Sequence, residues 1–166
     1  MSATLDDLYR HDYYAWSRQQ AAELRRLQAE RVNTRLDLDN LAEEVESSGR
    51  SDLRRVKSQL RRVIEHLLKL QYSPASDPHH GWRETSLEAR QDIDDYLTLS
   101  MRPEIEAELQ RDYAKAREKT VMALQRHGEG KAAAELPVAL PYSLADLLDP
   151  DWWPPAASDQ SAEKCQ

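Results

Sequence analysis

A chain of 166 residues with 40% hydrophobic and 32% charged side chains is long enough for one domain that buries a sizeable core. Its formal net charge of −7 argues against a general nucleic-acid binder, which needs a broadly basic surface to displace counterions. The most apolar stretch, Val63 to Leu70, is interrupted by Glu65, His66 and Lys69, so no membrane contact is expected.

Cys165 is the single cysteine, which rules out an intramolecular disulfide and fits a reducing compartment. Met1 to Tyr14 carries acids and tyrosines and no apolar secretory core, and together these features point to the cytoplasm. Ala, Leu, Glu, Arg, Gln and Lys, the strong helix formers, dominate the composition. Phe is absent, so the aromatic core falls to Tyr and Trp, whose O–H and N–H groups need partners when buried.

In chain order, Leu5, Leu8, Tyr9, Tyr13, Trp16, Leu24 and Leu27 recur at helical spacing and predict a first helix over about residues 5–29. Glu30 to Leu36 reads as a polar loop. Asp37 or Asp39 can cap a short second helix with Leu38, Leu41, Ala42 and Val45 on one face, and Ser48-Gly49 is its expected stop. Ser51 then opens a long third helix through Tyr72, with Leu53, Val56, Leu60, Val63, Ile64, Leu67 and Leu70 facing inward. Ser73 to Pro78 breaks it. A fourth helix carries Trp82, Ala89, Ile93, Tyr96 and Leu97. A fifth starts near Pro103, buries Ile105, Leu109, Tyr113, Ala116 and Ala123, and stops at Gly128. Leu136 to Leu140, bracketed by Pro137 and Pro141, is expected to run extended over the surface, before a short helix from Ser143 to Leu148. The predicted architecture is all-α: a bundle of about five main helices plus a short C-terminal helix, in one domain over residues 1–153, with 154–166 as a disordered tail.

Charge is distributed unevenly. Asp37, Asp39, Glu43, Glu44 and Glu46 form an acidic run without a base, whereas Arg50 to Lys69 is dominated by Arg50, Arg54, Arg55, Lys57, Arg61, Arg62 and Lys69. With a turn at Gly49, Glu46 ends one helix and Arg54 and Arg55 begin the next, both against the helix dipole. The simplest reading is a salt-bridge cluster locking a helical hairpin, worth ~0–1 kcal/mol per exposed pair. The sharper reading is that Arg54, Arg55, Arg61 and Arg62 receive an acidic partner or nucleic acid.

Glu46 borders the apolar stripe of the second helix, His66 borders that of the third, and Asp12 lies within the Tyr9–Tyr13–Trp16 stripe. If those stripes converge, one histidine and two or three carboxylates line a semi-buried pocket suited to a divalent ion or to acid–base chemistry, with Glu43, Glu46 and His66 as candidate catalytic residues. The simpler alternative is that Asp12 and Glu46 accept hydrogen bonds from Tyr, Trp, Arg or backbone groups. The Glu-x-x-His pairs of di-iron bundles, a serine elbow, a phosphate-cradling glycine loop and an HExxH motif are all missing, so no metal site and no cofactor is expected.

Several blocks occur together: Asp12-Tyr13-Tyr14-Ala15-Trp16, Leu38 to Ser51, His66 to Tyr72, Trp82-Arg83, Tyr113 to Arg117, and Pro141 to Leu148. In this order and spacing the chain resembles the bacterial domain-of-unknown-function 29 family from about residue 6 to 153. The resemblance implies a bacterial, all-α protein of several helices, with no activity attached. Leu70, Thr98 to Pro103 and Glu135-Leu136-Pro137 depart from the pattern in apolar or turn residues. The family's recurring polar positions are carried here by Asp12, Glu43, Glu46, His66, Lys69 and Arg83. With the tryptophans of the same blocks, they give Asp12, Trp16, Lys69, Trp82 and Arg83 as candidate binding residues.

The function expected is a protein-interaction or regulatory module acting through a helix face or the Leu136–Tyr142 segment, on an unidentified protein partner. Trp152-Trp153 either joins that surface or caps the core. The alternatives are a metal-dependent or acid–base enzyme at Glu43, Glu46 and His66, and nucleic-acid contact through the basic helix. Oligomeric state is left open.

Overall fold

The computed structural model of the chain describes residues 4–157. The expected disordered tail from residue 158 onward, with Cys165, lies outside the described residues. Within them every regular element is helical: α1 (Leu5–His11), α2 (Tyr13–Ala29), α3 (Leu38–Tyr72), α4 (His79–Tyr96), a 3-10 turn (Leu99–Met101), α5 (Arg102–Arg126), α6 (Gly130–Glu135) and α7 (Leu144–Leu148). The protein is all-α, as the apolar periodicity requires. Its residues divide between two compact units, one drawn from Met1–Val56 and Tyr96–Glu104, the other from Lys57–Asp95 and Ile105–Gln166.

In the first unit the single helix predicted over 5–29 is two. Asp12 leaves the helical region at φ −147°, ψ 69°, ends α1, and caps α2 by accepting from the Ala15 amide at 3.1 Å. A short carboxylate that bonds its neighbouring backbone offers the chain an alternative to continued helix. At the other end of α1, Thr4 and Asp7 form a reciprocal capping box.

α2 and α3 run antiparallel, as the pairs Tyr13–Ser48, Arg25–Glu46 and Gln28–Asp39 show. The predicted stop at Ser48-Gly49 and the new start at Ser51 do not occur: α3 is continuous over 35 residues. Gly49 is there for closeness rather than for a turn. A Cβ at that position would lie 1.9 Å from Ser17 Oγ and 3.0 Å from Ser17 Cβ, so the missing side chain lets α2 press against α3. With no helix end at this point the opposed-dipole argument lapses, and the ion pair Glu46 makes across elements is with Arg25 at 2.5 Å, on α2.

In the second unit the α3 face predicted from periodicity is the core: Leu60, Val63, Ile64, Leu67 and Leu70 are all buried. They are joined by Ala89 and Ile93 of α4 and by Ile105, Tyr113, Ala116 and Leu124 of α5. α5 ends where expected, at Gly128, whose φ of 76° suits glycine. α6, absent from the sequence prediction, follows and buries Ala132 and Ala133. The chain from Leu136 to Leu140, expected to run extended over the surface, instead bends at Leu136, Val138 and Ala139 and buries Leu136 as it passes along α5. Its carbonyls are held by Tyr113 Oη on Pro137 (2.5 Å), Arg117 Nε on Pro137 (2.9 Å) and Gln110 Nε2 on Val138 (3.2 Å).

Arg90, buried on α4, donates to the carbonyls of Leu147, Asp146 and Trp152 at 2.9, 3.1 and 3.2 Å. Trp153 lies under the guanidinium groups of both Arg83 and Arg90, each 4.9 Å from its ring centre. Trp152 packs edge-on against Tyr142. The tryptophan pair therefore closes the end of this unit.

Candidate functional site

The second unit carries α3 and α5 side by side and parallel. Lys57 pairs with Glu108 and, at 3.4 Å, with Asp112; Arg61 pairs with Asp112 at 2.9 Å, Glu65 with Lys119 at 3.0 Å, and Ser73 with Glu129 at 2.7 Å. Residue numbers rise together on both helices, so the seam between them keeps one polarity.

Along this seam lies an open groove of about 740 Å³. It is lined by Arg61, Arg62 and Lys69 from α3 and by Lys115 and Lys119 from α5, with His66 between them and Glu65 as the single acid. Two of the bases are already matched, Arg61 by the buried Asp112 and Lys119 by Glu65. Arg62, Lys69 and Lys115 make no hydrogen bond or ion pair among the described residues. Two buried polar atoms in the lining, Gln59 Oε1 and His66 Nδ1, also have no hydrogen-bond partner.

The electrostatics follow from that crowding. Burial, reinforced by the charges of Lys69, Arg62 and Lys119, pushes the His66 imidazole down to about 4, so it is neutral at pH 7. Burial and then Lys119 lower Lys69 against the opposing pull of Glu65. An array of cations around a neutral imidazole attracts anions and presents both a donor and an acceptor. Its one carboxylate is paired with Lys119.

The candidates named from sequence distribute unevenly. Asp12, Trp16, Glu43 and Glu46 belong to the first unit; His66, Lys69, Trp82 and Arg83 belong to the second. Asp12 accepts from Ser100 N at 3.0 Å and Ser100 Oγ at 2.5 Å besides capping α2. Burial raises its pKa, but the hydrogen bonds from Ser100, Ala15 and Thr98 outweigh it and hold the carboxyl below its ordinary value. Glu46 is likewise held low, first by the Arg25 hydrogen bond and then by the Arg25 and Arg50 charges. Trp16 stacks with Tyr13 and meets Tyr9 edge-on. Glu43 is exposed. Among the described residues no group of three or more His, Cys, Asp and Glu could hold a metal ion.

His66, Lys69 and Trp82 do lie along one surface. Lys69 lines both the cationic groove and an adjoining cavity of about 370 Å³ that contains Trp82. Sequence reasoning missed Lys115 and Lys119. Their i, i+4 spacing was visible, but their alignment with Arg62, His66 and Lys69 depends on the parallel seating of α5 beside α3.

Fold and site together define a class: an all-helical protein without strands among its described residues, with no helix there long and apolar enough to cross a membrane, and with one cationic groove. The family is narrower. The family model described as Domain of unknown function DUF29 matches residues 8–153, and the chain belongs to the DUF29 family. It is also similar to an alpha-helical protein of unknown function from Rhodospirillum rubrum, at 25% identity over 98% of each chain with a TM-score of 0.80. Among curated proteins there is no significant match.

Proposed function

We propose that this protein is a cytoplasmic bacterial interaction module that receives an acidic segment of a partner protein in the groove between α3 and α5. One observation carries the reading: a chain of net charge −7 gathers five bases and a single acid in one groove. Local charge of that sign, set against the overall charge, selects where an anionic segment lands and speeds its arrival. A protein segment is favoured over nucleic acid because the acidity of the rest of the molecule opposes a long polyanion, which gains its affinity from many phosphate contacts.

The test uses a fluorescein-labelled glutamate-rich peptide and a single-stranded RNA of matched charge, followed by fluorescence anisotropy. The peptide is expected to bind at low salt, to weaken as salt rises, and to lose binding to the Lys115→Glu/Lys119→Glu double variant. Both lysines are exposed, but Lys119 pairs with the buried Glu65. Circular dichroism therefore checks the fold of the double variant, and Lys115→Glu alone, which leaves that pair intact, is expected to weaken binding in the same direction. Absent peptide binding, binding indifferent to the charge reversal, or a clear preference for RNA would each overturn the proposal.

A further inference from the structure

We infer that the groove reads a two-part motif, in which acidic residues lie against His66, Lys115 and Lys119 and an apolar side chain beside them seats against Trp82. This rests on the proposed function and deepens it. The cavity next to the cationic groove has walls from Pro78, Trp82, Ala123 and Leu124. Its one carboxylate, Glu129, accepts a hydrogen bond from Ser73 Oγ at 2.7 Å, which turns that charge toward the protein. The Trp82 ring is half-buried and braced by His79, 5.5 Å away. Lys69 borders both spaces, so the two are neighbours across that residue.

The physical case rests on what each half does. Exposed charges are screened by salt and contribute mainly to encounter and orientation. Affinity at protein surfaces is concentrated in a few well-packed aromatic or apolar anchors surrounded by polar contacts. A groove with cations along one stretch and a tryptophan-walled cavity at its end supplies both. The length of the cationic stretch follows from α3. Arg62 and Lys69 are seven positions apart, about 10 Å of helix rise, and an extended peptide covers that in about three residues. The occupant is thus a partner's extended segment with acidic residues spread over about three positions and a large aliphatic or aromatic side chain flanking them.

The experiment is selection of a random linear peptide library, displayed on phage, against the full chain at low salt. The enriched consensus is then synthesised and titrated against the wild type, Trp82→Ala, Ala123→Trp and the double lysine reversal. Expected is a consensus of acidic residues flanked by one large apolar position. Trp82→Ala is expected to weaken it about 10-fold, close to 1.4 kcal/mol, with its salt dependence intact. Ala123→Trp fills the cavity without removing Trp82 and is expected to do the same, which guards against a misfolded Trp82 variant. An acidic consensus without an apolar position, or one bound equally by both cavity variants, overturns the two-part motif and leaves the acidic-segment reading standing. A consensus with no acidic bias overturns both.

Discussion

Arg90 and Lys69 are both cations of the second unit drawn out of water, and they are treated in opposite ways. Arg90 is 4% exposed, and its Nε and Nη2 reach three backbone carbonyls near the end of α7 while its guanidinium covers Trp153. Lys69 is half-buried between two spaces and makes no hydrogen bond or ion pair among the described residues. Although Arg90 Nη1 is itself without a hydrogen-bond partner among them, a buried charge that bonds three carbonyls holds chain segments together. A partly buried charge whose donors are unmatched costs stability where it stands. The arrangement at Lys69 is therefore best understood through what the groove receives. The same distinction separates Asp12 and Glu46, whose carboxylates are engaged by Ser100 and Arg25, from Arg62, Lys69 and Lys115 in the groove.

The widest way to break this comparison is to remove each cation in turn. Arg90→Met leaves three carbonyls without their donor and frees the segment carrying Trp152 and Trp153, for an expected loss of about 3–4 kcal/mol. Lys69→Met replaces an unmatched charge by an apolar chain of similar length. It is expected to change stability by no more than about 0.5 kcal/mol, or to raise it slightly. Urea titration of both variants measures the difference. Equal losses would show that Lys69 is as much a part of the framework as Arg90.

A second test concerns what was legible in the sequence. The inward face of α3 was, because Leu60, Val63, Ile64 and Leu67 recur at helical spacing and burial in a helix follows that period. So were the end of α5 at Gly128 and the cap of α7, where Ser143 and Asp146 form a capping box. Gly49 was misjudged because glycine has two structural uses, and only the position of Ser17 on another helix says which applies. The first stripe was misplaced: Leu5 and Tyr9 are exposed and α2 buries Tyr14, Ser17 and Ala21, and the bond of Asp12 to Ser100, far along the chain, could not be read from local spacing. The groove was half legible: Arg61, Arg62, His66 and Lys69 lie on one helix, whereas Lys115 and Lys119 join them only through tertiary packing. Gly49→Ala tests the close approach. In the interior of a helix with open space beside it, alanine in place of glycine stabilises by up to about 1 kcal/mol. With α2 pressed against it, overpacking of about 1–3 kcal/mol outweighs that gain, and a lowered thermal midpoint is expected. A raised midpoint would contradict the close approach.

A last test probes the groove directly, through protons. His66 is surrounded by Arg62 and Lys69 on its own helix and by Lys115 and Lys119 on α5, with Glu65 as the one acid among them. Burial, with the nearest of these cations, holds the imidazole at about 4, below the 6.5 of an unperturbed histidine. Between those values the unfolded chain binds the proton that the folded protein refuses. Stability is therefore fully present above pH 6.5 and declines as pH falls toward 4. The slope from this one residue is at most about 1.4 kcal/mol per pH unit, and His66→Gln removes it while keeping a polar side chain. An NMR titration of the His66 ring with a midpoint near 4 would support the cationic setting. A midpoint near 6.5 would mean that the imidazole is well solvated and its neighbours screened. Adding the acidic peptide sharpens the point, because an anion bound beside the ring favours its protonated form and raises the midpoint. Arg90, absent from the lining of the groove and bonded through Nε and Nη2 to backbone carbonyls, offers no such response.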